Sequence, residues 1–309
     1  MATQVPVQVN APAQPDPRLD STEYKKQLFL YFGGLIAFYL GAIVVFRPAL
    51  NDKDALNSGL SIVLMLAPTV GALLAWRLGR GSIQFGKLSW WTLAGLLPVV
   101  VPLMTTLIAA AAGIVDFHPE QLPKLMLIAV PISAFSCVVA AGEEIGWRGF
   151  LWPLLRGRNT FLVSSAVMFV VWWLYHAPLT LAGWYGFVGG LPAFTIGLIG
   201  LVLFVGVLTD RSHSVWPSVL GHGAWNGLVT TYFSSEGNRE HGAVFTGSEY
   251  VLGEFGLLAT VSMFVLGVAA AWWYLRRREM ASSQSPTRIS RRHGRRATTH
   301  SPPIPLHGD

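Results

Sequence analysis

AGEEIGWRGF, residues 141–150, decides how the rest of the chain is read. It sets two adjacent carboxylates, Glu143 and Glu144, and a guanidinium, Arg148, beside an apolar run with the composition of a membrane span. A charged side chain at such depth costs roughly 2.5 to 3.5 kcal/mol on insertion scales, so its presence there marks a functional site. The competing reading places the stretch in a cytoplasmic loop just past a helix end.

Across 309 residues the chain is 52% hydrophobic and only 12% charged, with a mean hydropathy of +0.48. A soluble domain carries about 25% charged residues, so this is the composition of a membrane protein. The formal charge of +6 and a pI near 9.7 could suit nucleic acid, but eight of the 22 basic residues follow Leu275. A bilayer surface explains them there, and no nucleic-acid partner is expected. Cys137 is the single cysteine, so no intramolecular disulfide can form.

Residues 1–24 are polar and proline-containing, without a basic segment leading into an apolar core, and are expected to be a disordered lead rather than a signal peptide. Apolar runs follow at 27–46, 59–76, 88–115, 125–142, 160–182, 191–209, 214–233 and 251–275. A helix needs about 20 residues to cross hydrocarbon, so the fold class is an all-α polytopic membrane protein of about eight transmembrane helices. Pro98 and Pro102 predict a kink in the third. The embedded domain covers 25–275, with its motif core at 141–228, and 276–309 reads as a basic disordered cytoplasmic tail. Lys and Arg divide 18 to 4 between the two sets of loops, with Arg47, Lys53, Lys124 and Arg239 the minority. That asymmetry predicts both termini in the cytoplasm of a cell membrane protein.

Two further polar groups interrupt apolar spans: His176 in VVWWLYHAPL, and His222 with Asn226, four apart on one helix face, in SVLGHGAWNGL. Buried polar groups need partners, and the cheapest partners are one another. A depth check tests whether they can meet. If the fourth helix continues through GWRGFLWPLL to a turn at Arg156–Asn159, Glu143 stands about 20 Å above that turn, His176 about 25 Å, and His222 and Asn226 about 12 to 18 Å above the next loop on that side, at 1.5 Å per residue. The site is then expected inside the bilayer on the cytoplasmic half. The helix from Leu125 to Leu155 would be long, tilted and broken near Pro131.

Taken together these motifs resemble the CPBP family, the CAAX-protease and bacteriocin-processing intramembrane proteases also called Abi. Its EExxxR motif is matched by Glu143, Glu144 and Arg148, continuing through Gly149, Leu151, Pro153 and Leu155. Its FxxxH motif is matched at His176 with Trp172 in place of phenylalanine, and its HxxxN motif by His222 and Asn226. No HExxH, rhomboid serine motif or GxGD pair is present.

The resemblance implies an intramembrane endopeptidase acting on a membrane-associated or lipidated peptide or protein. Glu143 and His176 would position and deprotonate a water, while His222 and Asn226 would stabilise the tetrahedral oxyanion. Spacing assigns the two glutamates different jobs: Arg148 lies four residues past Glu144, the separation at which a glutamate and a following arginine meet. Glu144 is therefore expected to pair with Arg148, leaving Glu143 to face His176. No cofactor is favoured; the alternative is zinc held by Glu143, His176 and His222. Two non-proteolytic readings are a family member acting in bacteriocin immunity without catalysis and a proton-coupled transporter with the Glu/His cluster as its relay.

Overall fold

Six apolar helices long enough to cross a bilayer form the body of the protein, seen in a computed structural model that describes residues 21–46, 59–75, 85–230, 233 and 243–283. They are α1 (Ser21–Phe46), α3 (Leu88–Ala111), the α4 rod, α6 (Phe161–Leu181), α7 (Leu191–Ser212) and α9 (Leu257–Ser283). Two shorter apolar helices, α2 (Ser61–Leu74) and α8 (Trp216–Ala224), lie between them. The rod is built in three pieces: α4 itself (Leu122–Glu144), a π-helical stretch (Ile145–Leu151), and α5 (Trp152–Arg156). A second π-helical stretch, Trp225–Val229, prolongs α8.

The all-α membrane architecture stands; six of the expected spans hold helices long enough to cross, and the described parts of the other two are short. At 1.5 Å per residue, α2 and α8 with its π stretch reach only about 21 Å, against the roughly 30 Å of hydrocarbon. Both have packed sides: α8 buries Pro217, Ser218, Val219 and Gly221 through Ala224, and α2 lies along α1. The helix α3 runs without interruption through Pro98 and Pro102, and the hydroxyls of Thr105 and Thr106 donate to the Pro102 carbonyl at 2.9 and 2.8 Å. The expected break at Pro131 is absent, since α4 is helical through it. The departure from α geometry comes instead at Ile145–Leu151, beside the paired glutamates. The last helix begins at Leu257 rather than at 251, because Gly253 takes a positive φ of 86° that ends any helix there.

Asp116–Phe117 pairs antiparallel with Phe245–Thr246, a two-residue clasp (β1 and β2) at the end of the bundle that also carries 182–190 and 247–256. At the opposite end Asp210 of α7 accepts from the Trp152 indole at 2.8 Å, from Arg156 Nε at 3.0 Å and from the Tyr274 hydroxyl at 2.7 Å. One carboxylate thereby ties α5, α7 and α9 together. The cap of α6 is there too: Thr160 accepts the Val163 N–H.

Small residues let helix backbones touch, the usual source of association between apolar helices in lipid. A Cβ on Gly200 would stand 2.3 Å from the Met263 carbonyl oxygen, where α7 crosses α9. A Cβ on Gly146 would stand 2.2 Å from the Pro68 backbone, which lets α2 press against the first π stretch. Facing outward, α4 exposes Met126, Leu127, Val130 and Val138, an apolar face suited to acyl chains.

The residues expected to form the lead and tail lie mostly outside the described ones; Ser21–Tyr24 and Arg276–Ser283 are helical. Arg47, Lys53 and Arg239 also lie outside them.

Candidate active site

Glu143 and Glu144 are the last residues of α4, just before the chain widens into the π turn. Adjacent helical residues point about 100° apart, and the two carboxylates accordingly have separate partners. Arg148 Nη1 donates to Glu144 Oε1 at 3.0 Å, and both side chains are fully buried. The same oxygen receives His222 Nδ1 at 2.9 Å. The Arg148 guanidinium also stacks 4.2 Å from the centre of the Trp172 ring. Glu144 therefore links α4 to α8 as well as pairing within its own helix.

Glu143 is held differently. Its Oε2 accepts from the Trp147 indole at 3.1 Å and from the Trp172 indole at 2.9 Å. Indole N–H groups only donate, so both donate to the carboxyl oxygen and together fix its plane. Trp172 stands where the resemblance expects phenylalanine, and it supplies a hydrogen bond that phenylalanine could not. Neither indole was singled out as a donor in the sequence, because a tryptophan in an apolar run reads as packing.

The His176 ring places Nδ1 3.0 Å from the Trp172 carbonyl oxygen. A carbonyl only accepts, so Nδ1 carries the proton and the neutral ring keeps its lone pair on Nε2. Tyr175, Tyr185 and Phe194 rings surround it at centroid distances of 5.0, 5.2 and 5.6 Å. His222 meets the Trp172 ring edge-on at 5.4 Å, and Asn226 follows in the second π stretch.

Glu143, His176, His222 and Asn226 line one cavity of about 90 Å³, with Trp172, Tyr175 and Trp225 among its other walls. That is room for several waters. Glu144 and Arg148 do not line it; they stand behind His222 and Trp172. Glu143 and His176 share the cavity, but the hydrogen bonds of Glu143 go to the two indoles rather than to the imidazole. The cavity also reaches Tyr185 and Glu254, at the end of the bundle opposite the Arg156–Asn159 turn. The site is thus not confined to the half next to that turn: His176 lies within two turns of the far end of α6.

Among the described residues no three His, Cys, Asp or Glu side chains converge on a point where they could hold a metal ion. His222 Nδ1 is turned to Glu144, and Glu143 Oε2 to the indoles.

Glu254 is a cavity-lining residue that sequence reasoning missed. It falls in YVLGEFG, within a run read as the start of a membrane span, where the cost of a buried charge could have exposed it. In the structure it precedes α9, with the Tyr185 hydroxyl and the Trp225 indole beside it as hydrogen-bond donors and with the His176 and His222 imidazoles as neighbours. Burial raises its carboxyl above the usual range, against the opposing pull of Tyr185 and the imidazoles. Burial also holds the Tyr185 phenol well above its ordinary value, reinforced by the Glu254 carboxylate.

No curated protein matches the chain. Residues 124–228 match the family described as Rce1-like, type II CAAX prenyl endopeptidase Rce1-like. The matched stretch begins in α4, ends in the second π stretch and contains every motif residue from Glu143 to Asn226. The matched segment is about a third of the chain and is similar to the Rce1-like family of CAAX prenyl endopeptidases, in agreement with the CPBP resemblance carried by the motifs.

Proposed function

We propose that the protein is an intramembrane endopeptidase that hydrolyses a peptide bond of a membrane-associated or lipidated substrate with a water activated without metal. The observation that carries this reading is the convergence of Glu143, His176, His222 and Asn226, from three separate helical segments, on one cavity. His176 offers Nε2 to a water, and the free oxygen of Glu143 shares the task of taking its proton. The attacked carbonyl oxygen becomes an oxyanion. The doubly protonated His222 ring, its Nδ1–H held by Glu144, presents Nε2–H to that oxyanion, and the Asn226 amide supplies a second donor. Glu144 and Arg148 act as positioning residues, since they touch His222 and Trp172 rather than the cavity. The bilayer is the working environment and supplies the substrate from its own plane.

The test is quantitative proteomics of membranes from cells with the wild-type gene, without it, and with Glu143→Gln. One precursor should accumulate uncleaved in both defective strains. Identical membrane peptides in the wild type and in Glu143→Gln would sink the proteolytic reading and favour the scaffold or transporter alternative.

A further inference from the structure

Glu254 lies outside the residues that match the family, yet it lines the same cavity as Glu143, His176, His222 and Asn226. Hydrolysis of an amide needs two proton movements: one off the water, one onto the departing nitrogen, which is too basic to leave as an anion. The residues assigned so far take the first proton and stabilise the oxyanion, and His222 and Asn226 are committed to that oxygen. The second proton needs a donor that is protonated at working pH and within reach of the cavity.

We propose that Glu254, held between the Tyr185 hydroxyl and the Trp225 indole, is the acid that protonates the leaving amine. The inference rests on the endopeptidase reading above. The groups that face Glu254 are Tyr185 from the segment after α6, His176 from α6, His222 from α8, Trp225 from the second π stretch, and Glu143, whose charge also reaches Tyr185. Its two hydrogen-bonding neighbours orient the carboxyl group, and burial raises its titration above the usual carboxyl range, which favours the protonated form. The two carboxyl groups of the cavity each have two donors, two indoles at Glu143 and an indole and a phenol at Glu254, where burial outweighs the donors and raises the titration. A pair whose environments separate their protonation states can divide the base and acid roles.

The step balances. Water adds its hydroxyl to the carbonyl carbon and gives a proton to the His176–Glu143 base. The tetrahedral species then expels the amine: the C–N bond breaks, its electron pair goes to nitrogen, and nitrogen takes the Glu254 proton. Glu254 is left as a carboxylate, and the proton held on His176, one of its neighbours, returns to it. The net change is water plus peptide to acid plus amine.

The test uses the full chain in detergent or nanodiscs, with a farnesylated peptide ending in a CAAX box and the same peptide carrying a p-nitrophenyl ester at the scissile carbonyl. The ester's leaving group needs no proton. Glu254→Gln should lower kcat on the amide by about 10²-fold or more, the usual range for general acid catalysis, while ester turnover stays within tenfold of wild type. Ester turnover also reports that the variant is folded. Glu254→Asp should restore part of the amide rate, and the alkaline limb of the wild-type amide profile should be missing from the ester profile. Equal losses on both substrates, or a raised KM with unchanged kcat, would overturn the donor role and leave Glu254 a structural or substrate-binding group. A wild type inert on both probes would overturn the prenyl-peptide reading and this inference with it. An active wild type with a fully active Glu254→Gln variant would overturn this inference alone.

Discussion

At the scale of single residues, the two neighbouring glutamates have different partners, and the proposed mechanism gives Glu144 a positioning role and Glu143 the role of base. Glu144 holds Arg148 and His222 through one oxygen inside a fully buried network. Removing one partner of such a network typically costs 3 to 5 kcal/mol, because the other charge is left uncompensated. Arg148→Ala and Glu144→Ala should therefore lower the melting temperature and the yield of folded protein along with activity. Glu143→Gln should melt near wild type and fail in single-turnover cleavage. A stable but inactive Glu144→Gln, or an active Glu143→Gln, would reverse the assignment. Trp172→Phe supplies a finer test, since it restores the family's usual aromatic and deletes only one donor to Glu143. A hydrogen bond to a charged group contributes about 1.5 to 3 kcal/mol. A fall in kcat of about tenfold or more is expected with little change in KM, and unchanged kinetics would mean that the Trp147 indole alone orients the carboxylate.

At the scale of elements, the two π-helical stretches are where helices are bent to the needs of the site. The first carries Arg148 and the second carries Asn226, and each widened turn re-aims side chains that regular α geometry would set elsewhere. Gly146 permits the first of these to sit on Pro68. Gly146→Ala is predicted to push α2 away and destabilise the protein by about 1 to 3 kcal/mol, the usual cost of overpacking. Thermal melting in detergent would read this, and a melt at the wild-type temperature would show that α2 shifts freely. The Asp210 knot makes a separate prediction: Asp210→Ala leaves Trp152, Arg156 and Tyr274 without their shared acceptor. Melting should fall while the candidate active site, in the cavity toward the other end of the bundle, keeps its KM.

At the scale of the whole molecule, the distribution of charge bears on sidedness. The described basic residues Arg156, Arg158, Arg211 and Arg276–Arg278 gather at the Asp210 end, whereas the opposite end carries Asp116, Glu120 and Glu249. We propose from this charge asymmetry that the Asp210 end faces the cytoplasm. Cysteine labelling after Arg278 from outside intact cells should give no signal, and strong labelling would invert the topology. Arg148 leaves the loop count on which the asymmetry was first drawn, since it is buried, but the remaining imbalance points the same way. The metal-free reading predicts that protein dialysed against a strong chelator keeps full turnover. Loss of turnover that zinc restores would overturn it.

Sequence alone determined the class of protein, the order of its apolar helices and the identity of Glu143, Glu144, Arg148, His176, His222 and Asn226 as candidates. These follow from local physics: hydrocarbon demands apolar runs, and charge inside one is costly wherever the chain goes next. The Glu144–Arg148 pair was legible for the same reason, being set by the spacing of one helix. Tertiary structure decided what depends on other segments. That Glu144 reaches across to His222, that two indoles hold Glu143, and that Glu254 joins the cavity all require helices to be packed first. An indole or a glutamate in an apolar run carries no mark of its partner, because hydrogen bonds between distant residues are selected by packing and not by spacing along the chain.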